Sequence, residues 1–285
     1  MKTSTSPAAE SALYIVTGAT GSIGTSIATR LAANGKPLCL ACRNGKKAQA
    51  LADKIISATG NNDIHVEELD LSTFASVRAF VKRMQEAGRP VAALINNAGV
   101  MMRHEEYSVD GYEMTTQVNF LSTALLSMLM APLIQEGGHI VMTTSVTRKV
   151  ASLGEEYPAT ENFSQLGSYG RSKLAITLFA IYLATVLKQR HINVECADPG
   201  VVNSEMLTMQ RWFDPLANVL FRPFASSPQR GATSALNALK SADTGLLFYH
   251  DTITTTVHEL KSKETFITLL NNTLRILNPQ KTDKE

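Results

Sequence analysis

The sequence predicts a single α/β domain built as a doubly wound parallel sheet with helices on both faces. Three observations carry that expectation. Short apolar runs bounded by turn residues recur along the 285-residue chain, segments of helical period fill the gaps between them, and 44% of the residues are hydrophobic with no long polar tract. That is enough for one large core, at a length where α/β folds commonly stay undivided. Strands that alternate with helices imply parallel pairing and right-handed crossovers, with ligands bound outside the carboxyl ends of the strands.

The strands are expected at residues 13–17, 37–42, 64–69, 91–96, 139–144, 193–197 and 246–249, each a short and nearly continuous apolar run, the pattern of a strand buried on both faces. The helices are expected at 23–33, 46–58, 74–86, 112–134, 169–190 and 256–277, where apolar residues return every three or four positions. Two stretches break the rhythm. Residues 146–167 are longer than an ordinary strand-to-helix link, and residues 201–227 carry Trp212, Phe213, Phe221 and Phe224 among prolines. Loops of that length are usually functional, and aromatics argue against disorder, so both are expected to border the site, 201–227 as a substrate loop. The polar segment 1–11 and the tail 279–285 are expected to be flexible, leaving 12–278 as the domain.

Composition excludes several classes of function. The formal charge is +2, and no basic run is longer than a pair such as Lys46-Lys47, so nothing calls for nucleic acid or an anionic membrane. The opening MKTSTSPAAESA lacks the basic start and apolar middle of a signal peptide, and no membrane span is expected elsewhere. Cys39, Cys42 and Cys196 lie in or beside apolar strand-like runs. An odd number without regular spacing argues against a disulfide framework. The CxxC of Cys39 and Cys42 has no second pair or nearby histidine, so core packing is expected and a metal site is not. A cytoplasmic setting fits this usage.

The chemistry begins at TGATGSIG, residues 17–24, which follows the first strand and opens the first helix. A glycine-rich turn there lets backbone approach a pyrophosphate, while the helix amino terminus offers unpaired N–H groups and a partial positive charge. Gly18, Thr20, Gly21, Ser22, Ile23 and Gly24 are the expected contacts. Further elements then follow in a fixed order: Asn96-Asn97-Ala98-Gly99 ending the fourth strand, Asn119 in the next helix, Ser145 ending the fifth strand, Tyr169 with Lys173, and Pro199-Gly200 after the sixth strand. Tyr169 and Lys173 are four apart, on one helix face. A free phenol has a pKa near ~10, and a nearby ammonium is expected to lower it towards a useful range.

This ordered set resembles the short-chain dehydrogenase/reductase family over roughly residues 12–249. The resemblance implies a Rossmann-like fold and a nicotinamide cofactor. It implies that Tyr169 is the acid–base residue, that Lys173 also bonds the nicotinamide ribose, that Ser145 holds the substrate oxygen, and that Asn119 anchors a water in a proton relay. Asn97, Ala98, Gly99, Pro199, Gly200 and Val202 are implied cofactor contacts, and Asp70 and Leu71 resemble the pair that brackets adenine. The GxxGxxG spacing is that of the family's epimerase and dehydratase branch, whose chains usually run longer. Because NNAG resembles the shorter alcohol-oxidising branch, the loop reads as that branch's pattern with Gly21 and Ser22 exchanged. Ser122 stands where that branch usually has glycine.

Cofactor choice turns on the end of the second strand, Ala41-Cys42-Arg43-Asn44. A carboxylate there would bond both ribose hydroxyls and repel a 2′-phosphate; Arg43 instead offers a planar fork suited to phosphate, with Lys47 one turn on. NADP is expected. Cys42-Arg43, NNAGVMM from Asn96, DGYEM from Asp110, the long interval between Ser145 and Tyr169, and PQRG from Pro228 together resemble the retinol dehydrogenase-like NADP-dependent reductases. That branch implies an oxidoreductase interconverting a hydrophobic, retinoid- or steroid-like alcohol and its carbonyl. Its members often carry an amino-terminal membrane anchor, a pattern this amino terminus does not show. Helices 112–134 and 169–190 resemble those that pair in the family's homodimers and homotetramers. Two alternatives stay open: a non-catalytic NADP-binding regulator on the same fold, and a nucleotide-sugar epimerase.

Arg43 yields the first test. Arg43→Asp removes a charge-assisted contact and sets a like charge against the 2′-phosphate. Losing a hydrogen bond to a charged group costs roughly 1.5–3 kcal/mol, about ten- to a hundredfold in affinity. NADPH binding should weaken by at least that factor while NADH binding holds or improves, as read by fluorescence titration. An unchanged preference would mean that Arg43 only faces solvent.

Overall fold

The computed structural model describes residues 12–159, 162–202, 226–256 and 262–278. The apolar runs become the strands of one eight-stranded sheet in the order β3-β2-β1-β4-β5-β6-β7-β8. β1 (Leu13–Thr17), β2 (Leu38–Cys42), β3 (Ile64–Glu68), β4 (Val91–Asn96), β5 (Ile134–Thr143), β6 (Asn193–Asp198) and β7 (Leu246–Tyr249) run parallel, and β8 (Thr252–Thr255) closes the edge antiparallel to β7. β2 and β4 are buried along their whole length, as continuous apolar runs require.

The helices cover both faces. On one, α1 (Ser22–Ala33), α2 (Gly45–Thr59) and α6 (Pro228–Ala238) bring Ile27, Leu31, Ile55 and Ala235 onto Val16, Leu40 and Ile95. On the other, α3 (Phe74–Ala87), α4 (Met114–Leu133), α5 (Gln165–Leu187) and α7 (Lys263–Leu277) pack Phe80, Phe120, Phe179 and Leu269 over Ile15, Leu94 and Ile140. α4 and α5 with its 3-10 extension are long and apolar enough to cross a membrane, and most of each is buried in the core. The sheet thus has the doubly wound form expected.

Several details differ from expectation. β5 starts at Ile134, ahead of the apolar run, because it passes through Gly137 and Gly138, which carry no hydrophobic signal. β8 is mostly exposed and threonine-rich, so no apolar pattern marks it. α6 was not anticipated. It starts where Ser227 accepts from the Arg230 N–H with Pro228 in the first turn, a pairing suited to a helix start. α4 is not a uniform α-helix: Gln117–Leu121 is a π segment containing Asn119, and Ala131–Leu133 is a 3-10 turn. The last helix begins at Lys263, capped by Ser262. The segments 1–11 and 279–285, and most of the expected substrate loop with Trp212, Phe213, Phe221 and Phe224, lie outside the described residues. The described ends of that loop meet, because Val202 and Ser226 form a parallel bridge and the Ser226 N–H donates to Val201 O at 2.8 Å.

The glycine turn shows which of its glycines the fold itself demands. Gly18 has φ 61°, and a Cβ there would stand 2.8 Å from Ala98 Cα. A Cβ on Gly24 would strike the Gly18 carbonyl oxygen and stand 2.7 Å from Asn97 Nδ2 and 2.9 Å from Ala19 Cα. Gly21 is different: its φ is −77°, and the nearest atom to an added Cβ is 3.4 Å away. Helix propensity favours alanine over glycine by up to ~1 kcal/mol, but overpacking against backbone costs ~1–3 kcal/mol. Gly24→Ala should therefore lower the denaturation midpoint, whereas Gly21→Ala should leave it unchanged in equilibrium unfolding.

A second stability test comes from Glu195, fully buried in β6. One oxygen lies 3.2 Å from His139 Nδ1, and the other has no hydrogen-bond partner among the described residues. Burial pushes this carboxyl from its ordinary 4.5 up to about 7, while the bond and charge of His139 act the other way. A folded value above the unfolded one means that its stabilisation is complete below pH 4.5 and is lost as the pH rises through about 7. Glu195→Gln should raise the melting temperature relative to wild type most above neutral pH and least in acid. A pH-independent difference would contradict this.

Candidate active site

The sheet reverses its winding between β1 and β4, and the carboxyl ends of β1 to β4 open there onto a cleft of about 750 Å³. That is where an open α/β sheet binds ligands. Two turns are fastened together at the cleft floor. Thr17 Oγ1 accepts from the N–H groups of Asn97 and Ala98, both at 3.0 Å, and Asn97 Nδ2 donates to the carbonyls of Thr17 (3.0 Å) and Gly18 (3.2 Å). Gly21 caps α1 without any side-chain hydrogen bond, so the first-turn N–H groups are left to an anion. Ser22 is the first helical residue and is exposed.

The whole expected phosphate and adenine side converges on this cleft. Gly18, Thr20, Gly21, Ser22, Ile23 and Gly24 form one wall; Arg43, Lys47, Asp70 and Leu71 form the far end; Asn97, Ala98 and Gly99 form the floor. Asp70 spends one oxygen on the Ser72 N–H at 2.9 Å. Among the described residues no ion pair joins Arg43 or Lys47 to a carboxylate, so the far end presents two cations beside the single carboxylate of Asp70. A 2′-phosphate fits that donor set. The cleft is also lined by Thr17, Cys42 and Val100, which stand inside quoted motifs without having been assigned as contacts, and by Val118, which as an apolar helix residue carried no signal. Pro199, Gly200 and Val202 stand past the end of β6 and are not part of this lining.

The catalytic candidates gather beyond Gly99. Ser145 lies two residues past the end of β5 and caps the 3-10 turn Val146–Val150, its Oγ accepting from the Thr147 N–H at 3.4 Å. Its hydroxyl is near enough to the Tyr169 phenol, one turn into α5, to act against the effect of burial on it. Lys173 is 3% exposed; its Nζ donates to Thr143 O at 2.8 Å and lies 5.6 Å from the centre of the Tyr169 ring. A Cβ on Gly99 would come within 3.3 Å of Asn119 Oδ1 and 3.4 Å of Lys173 Nζ, so glycine there keeps the passage to the lysine open.

The electrostatics differ from the sequence expectation. Burial pushes the Tyr169 phenol up to about 12; the Ser145 hydroxyl opposes this and the charge of Asp198 adds to it. Burial brings Lys173 down to about 8, with Asp198 and Cys196 acting upward. Lys173 does not lower the phenol here because its ammonium is itself desolvated and directed at a carbonyl. Tyr169 is held as a neutral acid. Asn119 also has less freedom than expected: Oδ1 accepts from the Val100 N–H at 2.8 Å, and Nδ2 donates to Val100 O (2.8 Å) and Ser172 Oγ (3.1 Å). Only the second lone pair of Oδ1 is left to the side chain for a relay water. The π segment around it is a frequent mark of functional sites.

A branch mark and a departure from the branch both turn out to be structural. Asp110 Oδ2 accepts from the Phe74 N–H at 2.7 Å at the start of α3, and Glu113 accepts from the N–H groups of Thr115 and Thr116 at the start of α4. Ser122 Oγ accepts from Gln117 Nε2 at 2.9 Å, so a buried serine is satisfied where glycine is usual. The CxxC cysteines are buried and free, facing opposite sides of the sheet.

Comparison with known proteins accords with this geometry. The family model described as short chain dehydrogenase matches residues 12–213. Retinol dehydrogenase 11 of Homo sapiens is 36% identical over 231 residues, covering 79% of this chain and 71% of the relative. Polyprenol dehydrogenase of Mus musculus is 35% identical over 207 residues, covering 70% of this chain and 62% of the relative. Among solved structures, the Pseudomonas aeruginosa RhlG/NADP active-site complex superposes with a TM-score of 0.64 at 26% identity, covering 84% of this chain and 93% of that one. The chain belongs to the short-chain dehydrogenase family.

Proposed function

We propose that the protein is an NADP(H)-dependent oxidoreductase that interconverts a hydrophobic alcohol and its carbonyl, with Tyr169 as acid–base residue, Ser145 holding the substrate oxygen, and Lys173 and Asn119 behind them. The observation that carries this reading is the gathering of Ser145, Tyr169 and Lys173 beyond Gly99, with Lys173 Nζ 5.6 Å from the centre of the Tyr169 ring and burial favouring the neutral phenol. A substrate carbonyl accepting from both hydroxyls would be polarised, and Tyr169 would deliver the proton to the oxygen. The cofactor, when bound, supplies the hydride. Its phosphates suit the α1 amino terminus, and its 2′-phosphate suits Arg43 and Lys47. In the oxidising direction the phenolate is needed, which high pH favours. Relatives named for retinol and polyprenol support an apolar, isoprenoid-like alcohol over a small polar one.

The test is a panel of carbonyls, from small aldehydes to retinoid, polyprenyl and steroid carbonyls, with NADPH consumption followed by absorbance. Apolar members should be preferred. Tyr169→Phe should cut turnover by at least ~100-fold and leave NADPH affinity nearly unchanged, since only the proton donor is lost. No consumption with any member, or full turnover in Tyr169→Phe, would sink the proposal.

A further inference from the structure

A buried ion pair lies outside every motif that marks the site, yet it joins two backbone segments on which the chemistry depends. Arg148 sits in the 3-10 turn after Ser145, and Asp198 is the last residue of β6, directly before Pro199-Gly200. Arg148 Nη1 donates to Ser145 O at 2.8 Å and to Asp198 Oδ2 at 2.6 Å. The other oxygen of Asp198, Oδ1, accepts from the Gly200 N–H at 2.9 Å, and its carbonyl accepts from Ser234 Oγ at 2.8 Å. A guanidinium and a carboxylate thus form a continuous hydrogen-bonded chain from the carbonyl of Ser145 to the N–H of Gly200. The two side chains are 2% and 3% exposed.

A pair buried this deeply is weak evidence for stability, because desolvating both charges offsets most of their attraction, whereas removing one partner leaves the other stranded. Its placement gives it another use. The geometry points to Arg148 and Asp198 as positioning residues that hold the Ser145 backbone and the Pro199-Gly200 turn in one register, so that Ser145 is aligned with Tyr169 and with the turn that the family resemblance makes a cofactor contact. The pair does not touch the reacting atoms itself. This inference rests on the oxidoreductase reading above.

The surroundings add a signature that a purely structural role would lack. The charge of Asp198 meets Arg148 from the 3-10 turn and reaches Tyr169 and Lys173 from α5; Cys196 of its own strand also acts on Lys173, and His250 lies beside Gly200, its Nε2 3.2 Å from where a Cβ there would be. The charge of Asp198 favours the protonated forms of both Tyr169 and Lys173, and the guanidinium paired with it at 2.6 Å carries the opposite charge. In the reducing direction, activity is lost as the phenol ionises. Asp198→Asn should therefore move the alkaline limb of kcat to lower pH, and Arg148→Met, which leaves the carboxylate uncompensated, should move it to higher pH.

The experiment compares wild type, Asp198→Asn, Arg148→Met and the double variant Arg148→Met/Asp198→Asn. NADPH affinity is measured by fluorescence, kcat and KM across neutral to alkaline pH with a carbonyl the wild type reduces, and unfolding by thermal melting. Arg148→Met carries the greatest risk of misfolding; the double variant strands no charge and should melt close to wild type. It should still lose about tenfold or more in kcat, because ångström-scale misplacement of reacting groups costs up to ~100-fold, and its NADPH affinity should weaken. A double variant with wild-type kcat, NADPH affinity and pH profile would overturn the inference, as would limbs of the two single variants that shift in the same direction. If the double variant does not fold, Asp198→Asn alone decides: an unmoved limb with unchanged NADPH affinity refutes the role. A wild type that binds NADPH but reduces no carbonyl would defeat the oxidoreductase reading instead, and the affinity measurements would still decide whether the pair sets the cofactor seat.

Discussion

The site depends on one close approach, that of the Gly18 backbone to Ala98 where the sheet changes its direction of winding. With φ 61° and Ala98 Cα only 2.8 Å from where a Cβ would be, position 18 admits no side chain. That contact lets the turn after β1 lie directly on the turn after β4, and Thr17 and Asn97 then fasten them through four hydrogen bonds. Gly24 extends the same constraint one turn into α1. The helix amino terminus is thereby brought over the cleft floor with its N–H groups uncapped, so the requirement for anion binding follows from a packing requirement. Gly21 lies outside this constraint, which is why an exchange with Ser22 can be accommodated there without altering the joint.

At the other end of the site the controlling quantity is desolvation. Tyr169 and Lys173 move in opposite senses, the phenol up and the ammonium down, because burial disfavours the charged form of each. Their spacing on one helix face puts them side by side, but shared burial, and the direction of Lys173 towards Thr143, decide their protonation. A neutral phenol beside the Ser145 hydroxyl is the form a reductase needs. The same low dielectric makes the nearby carboxylate of Asp198 effective on both groups.

Much of this was legible in the sequence, for identifiable reasons. Strands buried on both faces must be apolar throughout, so β2 and β4 stand out; β8, exposed at the edge, had no reason to be apolar and was invisible. The cofactor side is built from consecutive residues at strand ends, and local spacing exposes it. Arg148 and Asp198 lie 50 residues apart and meet only through the fold, so no local pattern could show that they pair. The π segment around Asn119 was hidden because the apolar periodicity of α4 continues through it. DGYEM was visible as a motif, yet its work, capping α3 and α4 through Asp110 and Glu113, required knowing which helix starts lie beside it.

The two ends of the site also differ in how their charges act. Arg43 and Lys47 stand at the cleft mouth, where solvent and salt screen them, so they are suited to choosing between two forms of a cofactor by the presence of one anionic group and have little leverage on the reaction. Arg148 and Asp198 are sealed from water, where screening is weak and each charge is felt by its neighbours. A substitution at the mouth should therefore alter which cofactor binds and become less consequential as ionic strength rises. One at the buried pair should alter how the acid works, largely independent of salt. Recognition and chemistry are separated across the cleft by burial more than by distance.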